Sequence, residues 1–181
     1  MHVKTAQGEQ VFDKVIFATA PSITSKILKT ANTQVLDLLS YFKTIRNKAY
    51  LHRDTNFMPK SKKCWSSWCV QANYNTNQQT DVSLTYYLNR LQPLKTSHDV
   101  FLTLNPSTTP QNTIMQVDYG HPQFDHQAIE AQKHVPGIQG IDNVYHIGAW
   151  TRYGFHEDGI LSAVRLAELF DVRQPWNVEP L

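Results

Sequence analysis

The stretch Tyr145-His146-Ile147-Gly148-Ala149-Trp150-Thr151-Arg152-Tyr153-Gly154-Phe155-His156-Glu157-Asp158-Gly159 reads as a strand, a glycine-punctuated loop and a helix start. Such a unit presents backbone N–H groups and the positive end of a helix dipole. Glycines there let another group approach the backbone closely. The chemistry that fits is binding of a phosphate or of an electron-rich ring edge. On local pattern alone, a tight turn with Asp158 capping the helix explains the same residues equally well.

Other chemistry-bearing residues give weaker patterns. Cys64 and Cys69 flank Trp65 and Trp68 at a spacing that is not a zinc knuckle, and they read as ordinary free thiols. His121 with His126, or His146 with His156, lacks an acid or cysteine at a ligand spacing. His156-Glu157 is not a zincin pair, because Ile160 stands where the second histidine would be. Lys60, Lys62 and Lys63 beside Trp65 read as a solvated loop. Spacing identifies no Ser/His/Asp constellation. The site expectation therefore has no metal.

The elements that position the loop follow from periodicity. Residues 3–5, a glycine turn and an apolar run over 11–18 read as a hairpin ending in a buried strand, stopped by Pro21. Two short helices follow, one from Ser22, the other capped by Asn32 or Thr33 with Val35, Leu38, Leu39 and Phe42 on one face. Strands are expected over 48–52, 64–72, 82–88 and 100–104, with a polar loop over 73–79. A helix over 124–134, a strand over 144–148 and a helix after Asp158 complete the pattern. Ile160, Ala163, Val164 and Ala167 should line that last helix's inner face, and Gln174-Pro175 should stop it.

Composition sets the class. The chain has 181 residues, 41 % hydrophobic, with a net charge of +2. That excludes a disordered charged tail and a nucleic-acid binder acting through bulk charge. No apolar run approaches the ~20 residues of a membrane span. Two cysteines make no disulfide scaffold. The start Met1-His2-Val3-Lys4 lacks a signal-peptide pattern, so the expected compartment is the cytoplasm.

The chain resembles the C-terminal part of the FAD-dependent flavin amine oxidase superfamily, in its predicted NAD/FAD-binding oxidoreductase branch. The resemblance rests on Phe12-Asp13-Lys14-Val15-Ile16-Phe17-Ala18-Thr19-Ala20, His52-Arg53-Asp54-Thr55 with Met58-Pro59, and Trp65-Ser66-Ser67-Trp68. It continues through Thr85-Tyr86-Tyr87-Leu88-Asn89-Arg90-Leu91-Gln92, Leu102-Thr103-Leu104-Asn105-Pro106, His121-Pro122, Gly148-Ala149-Trp150-Thr151 and Gly154-Phe155-His156-Glu157-Asp158-Gly159. It implies an α+β or α/β two-domain FAD-binding fold. Residues 1–21 and 141–172 would form part of the FAD domain, residues 22–140 a substrate domain of mixed β-sheet with flanking helices, and 173–181 a tail.

The resemblance also implies FAD as cofactor, contacted by Gly148, Ala149, Trp150, Phe155, His156, Glu157, Asp158, Gly159 and Ile160. Trp150 and His156 would face or flank the flavin. Ala149 stands where wider members carry an acid. The implied activity is an oxidoreductase moving a hydride from a small-molecule substrate to flavin N5. The superfamily's G-x-G-x-x-G is missing: none of the seven glycines has that spacing. The alternative is a non-catalytic fragment or subunit that needs a separate N-terminal FAD-binding polypeptide. A third reading is a binding module for another ligand.

Overall fold

Val15–Phe17 (β3) and Val144–His146 (β9) lie far apart in sequence yet pair as parallel strands, with Val15 opposite Val144. This pairing draws the two ends of the chain into one unit. The computed structural model describes residues 1–29, 32–74, 80–174 and 176. It divides into a unit of residues 1–44 with 122–181 and a unit of residues 45–121. Of the polar loop expected at 73–79, residues 73 and 74 belong to a strand, while 75–79, the proline stop at 175 and most of the expected tail lie outside the described residues.

In the first unit, β1 (His2–Thr5) and β2 (Gly8–Val11) form the expected hairpin, with Thr5 opposite Gly8. The apolar run 11–18 is not one strand. β2 ends at Val11 and β3 starts at Val15, because the first piece pairs locally and the second pairs with β9. Val11 and Ile16 are exposed, so the run is not buried on both faces as expected.

Pro21 occupies the first turn of α1 (Pro21–Ile27), where its missing N–H costs nothing. The Asn32 side chain accepts from the Val35 amide and starts α2 (Thr33–Ser40). Val35, Leu38 and Leu39 of α2 pack with Leu28, Phe42 and Trp150. Ala128 and Ala131 of α4 (His126–Gln132) join the same core, as do Val135, Ile138 and Val144. The Asp125 carboxylate caps α4, accepting from the Ala128 amide at 2.9 Å. This shared core is why residues 22–44 and 122–140 group with the chain ends. The division falls at 44/45 and 121/122, not at 21/22 and 140/141.

The second unit is built on a five-stranded sheet. Its strands are β4 (Thr44–His52), β5 (Trp68–Tyr74), β6 (Thr80–Tyr87), β7 (Phe101–Leu104) and β8 (Thr113–Pro122), in the order β5-β6-β7-β4-β8. A short helix, α3 (Leu88–Leu91), follows β6. β5 with β6, β6 with β7, and β7 with β4 are antiparallel. The Arg53 amide donates to Asn112 and the Gln123 amide to Lys43, so β4 and β8 are antiparallel too. The sheet is therefore antiparallel, not mixed; no crossover helices connect its strands, and parallel neighbours need them.

One side of this sheet buries His52, Ser83, Thr85, Phe101 and Thr103. His52 Nδ1 accepts from the Asp54 amide, so its Nε2–H donates to Thr103 Oγ1 at 2.7 Å, and Thr103 bonds Thr85 at 2.9 Å. Burial pushes the His52 pKa down, against the opposing pull of Asp54. Asp54 accepts from the Asn56 and Gln111 amides, closing the corner after β4. The strand expected from Cys64 starts at Trp68, preceded by a 3-10 turn at Lys62–Cys64. β8 has no counterpart in the sequence expectation.

In chain order the last helix is α5 (His156–Glu168), reached from β9 through residues 147–155.

Candidate functional site

The loop between β9 and α5 is shaped by what its first residue must do. The Ile147 amide still donates to Phe17, extending the parallel pairing by one residue. Gly148 then turns the chain with φ +144°, a conformation that L side chains avoid. A Cβ there would lie 2.7 Å from Trp150 Cδ1 and 2.8 Å from its Nε1. The Gly148 amide donates to Ser162 Oγ at 2.8 Å, and that hydroxyl donates to the Gly159 carbonyl at 2.6 Å. One serine on α5 thus ties the strand end to the helix.

The turn Ala149–Thr151 sends Trp150 inward. Its Nε1–H donates to the Ile147 carbonyl, and its ring meets Phe42 edge-on at 4.7 Å. Gln132 of α4 donates to the Trp150 and Arg152 carbonyls. Gly154, at φ +90°, passes against Phe124, which a Cβ would meet at 3.0 Å.

Asp158 is not an N-cap, because the helix begins two residues before it. Its carboxylate is buried and reaches back, accepting from the amides of Tyr153 at 3.1 Å and Phe155 at 3.0 Å. Arg152 Nε lies 3.6 Å away. With that loop closed, the first turn of α5 leaves the His156, Glu157 and Asp158 amides without intrahelical partners. Tyr153, Phe155, His156, Glu157 and Ile160 are exposed.

The expected contact residues therefore separate into two sets. Phe155, His156, Glu157 and Ile160 are exposed, and half-buried Gly159 has only Ala149 near the space a Cβ would fill, at 3.8–3.9 Å. Gly148, Trp150 and Asp158 are committed inward. Trp150 belongs to the core and does not offer a ring face, contrary to expectation. The inner line of α5 also differs: Asp158, Ser162 and Leu166 are buried, while Ile160 is exposed. The polar pair wins because the loop amides need partners.

The exposed set suits hydroxyls and electron-rich ring edges better than a phosphate. The amides and dipole attract negative charge, but Glu157 in the same turn opposes a dianion and accepts from hydroxyls.

In sequence His146 reads as a strand residue and as one of a weak histidine pair with His156. It is 1 % exposed, and burial lowers its pKa to about 4. Its backbone is bracketed by Gln139, whose side chain donates to the His146 carbonyl at 2.8 Å and accepts from its amide at 2.9 Å. Gly140 donates to the Val144 carbonyl. These bonds occupy the edge of β9 away from β3. Of the two histidine pairs weighed above, His146 is buried and His156 exposed, while His121 and His126 are both exposed. Among the described residues no three His, Cys, Asp or Glu side chains cluster as metal ligands would. Among them, too, no helix is long and apolar enough to cross a membrane.

No protein family matches the chain, and no curated protein matches it. Among solved structures it is similar to a CLA-producing fatty acid isomerase from P. acnes, with a TM-score of 0.60 at 13 % identity. The likeness covers 94 % of this chain and 44 % of that one, so the chain spans less than half the length of the isomerase structure. At this identity the likeness concerns the fold.

Proposed function

We propose that the chain is part of an FAD-dependent oxidoreductase of the flavin amine oxidase type, and that the start of α5 is a cofactor contact. The observation that carries this reading is the Asp158 closure. It consumes a buried carboxylate inside the loop, at a helix start whose His156 and Glu157 are exposed. The donor set fits: amides for an electron-rich ring edge, a carboxylate for hydroxyls, and half-buried Gly159 for close approach.

FAD, when bound, supplies the acceptor for a hydride leaving a substrate C–H bond. The chain's own part is to orient and to stabilise. The α5 dipole favours negative charge at its N-terminus, by about 0.3–2 kcal/mol. Exposed Phe155 and Tyr153 offer apolar cover against water. The substrate is a small molecule of unassigned class.

A second reading has an observation of its own. Trp150 and Asp158 are spent inside the chain, so fewer groups remain for the cofactor than the resemblance implies. On that reading a separate polypeptide holds FAD and this chain completes the site.

The test is visible absorbance of the purified chain after FAD addition and desalting. A retained flavin band supports the first reading, and Gly159→Val should abolish it. Stoichiometric FAD in that variant would remove α5 from the site. A colourless but folded wild-type chain would select the second reading.

A further inference from the structure

A cavity of about 270 Å³ lies beneath α5, wholly within the first unit, and His146 and Arg165 both line it. Its apolar wall is Val135, Pro136, Leu166 and Leu169. His146 is 1 % exposed, yet no described protein group pairs with either ring nitrogen. A buried imidazole in that state is unusual, because buried polar atoms nearly always find partners. The other polar side chains of the cavity are already bonded within the chain: Gln139 and Ser162 as above, Gln132 to two carbonyls, and Thr151 to the Gly148 carbonyl.

What remains for a guest is an imidazole and an exposed guanidinium with no ion pair to another described residue. Guanidinium offers donors only, and neutral imidazole one donor and one acceptor. The complement is an acceptor-rich group of single negative charge on an apolar body. The volume falls just below the range of drug-sized pockets, which limits that body to a few carbons.

We propose that this cavity binds a small monocarboxylate, its carboxylate held by Arg165 and His146 and its apolar body against Leu166, Leu169 and Val135. The site is separate from the α5 N-terminus and does not depend on the flavin reading; FAD retention and carboxylate binding are measured independently.

The experiment titrates the full chain with hexanoate and follows the His146 ring protons by NMR. A saturable shift is expected. Hexanamide in place of hexanoate, or Arg165→Gln, should each weaken binding about tenfold, the loss of one charge-assisted contact. His146→Phe, followed through the Leu166 and Leu169 methyl signals of the same cavity, should abolish it. No shift at His146 at high hexanoate would overturn the site, leaving the ring to water. So would equal binding of hexanamide, or binding unchanged in Arg165→Gln. Arg165 is exposed, so its variant keeps the test intact if His146→Phe fails to fold.

Discussion

The Gly148 amide and the Ser162 hydroxyl meet at 2.8 Å, joining the end of a strand to the second turn of the helix that follows it. The same hydroxyl donates to Gly159, so both of its bonds lie within the loop–helix junction. Ser162→Ala leaves the Gly148 amide unpaired in a half-buried place, and the expected loss is about 1–3 kcal/mol. Urea unfolding measures it. A loss under about 0.3 kcal/mol would mean the junction is held by packing alone.

Gly148 and Gly159 should respond oppositely to alanine. At Gly148 the new Cβ meets Trp150 at 2.7 Å under a positive φ, and the expected cost exceeds about 2 kcal/mol. At Gly159 it meets Ala149 at ordinary contact distance, and alanine should be neutral or stabilise the helix by up to about 1 kcal/mol. Thermal unfolding of the two variants decides; equal losses would contradict the loop geometry.

Acid should weaken the fold through His146. Burial holds its folded pKa at about 4, below the ordinary 6.5. Between those values the unfolded chain binds a proton that the folded chain refuses. Stability from this group is therefore complete above pH 6.5 and falls as pH drops toward 4, on the order of 3 kcal/mol in all. His52, also lowered by burial, adds a loss of the same sign. Chemical denaturation across that window should show a shallower slope in His146→Phe than in wild type. An unchanged slope would assign the acid sensitivity elsewhere.

Gln139 substitutes for a neighbouring strand, pairing both backbone groups of His146. Gln139→Leu frees one N–H and one C=O, at about 1–3 kcal/mol if they stay buried. If they reach the surface they form a pairing edge, and self-association by size-exclusion chromatography should rise. A monomeric variant of wild-type stability would show that the bracket is dispensable.

What the sequence reveals follows how local the cause is. The Asn32 cap and the 35/38/39/42 spacing locate α2 because cap and face are both local signals. Likewise β9, loop and α5 follow from one short stretch. β8 escapes because every residue of it is exposed, so no buried face imprints an alternation, although Met115, Val117 and Tyr119 sit two apart. The run 11–18 misleads because its two halves pair with strands at very different distances along the chain. The inward turn of Trp150 depends on the φ of Gly148, which residue type permits without dictating. The neutral, partnerless state of His146 arises from its burial in the assembled first unit, which no local pattern encodes.

The pairing of β3 with β9 also has a meaning in time. On a ribosome adding about 5–20 residues per second, β3 emerges roughly 6–26 s before its partner strand is made. The whole of 45–121 is completed in that interval and is free to fold first. Meanwhile Phe17, Leu28 and the apolar residues of α2 wait without the core that α4, Val144 and Trp150 will supply. Until residues 122–150 are made, the segment around Phe17 and α2 is thus exposed to chaperones and proteases.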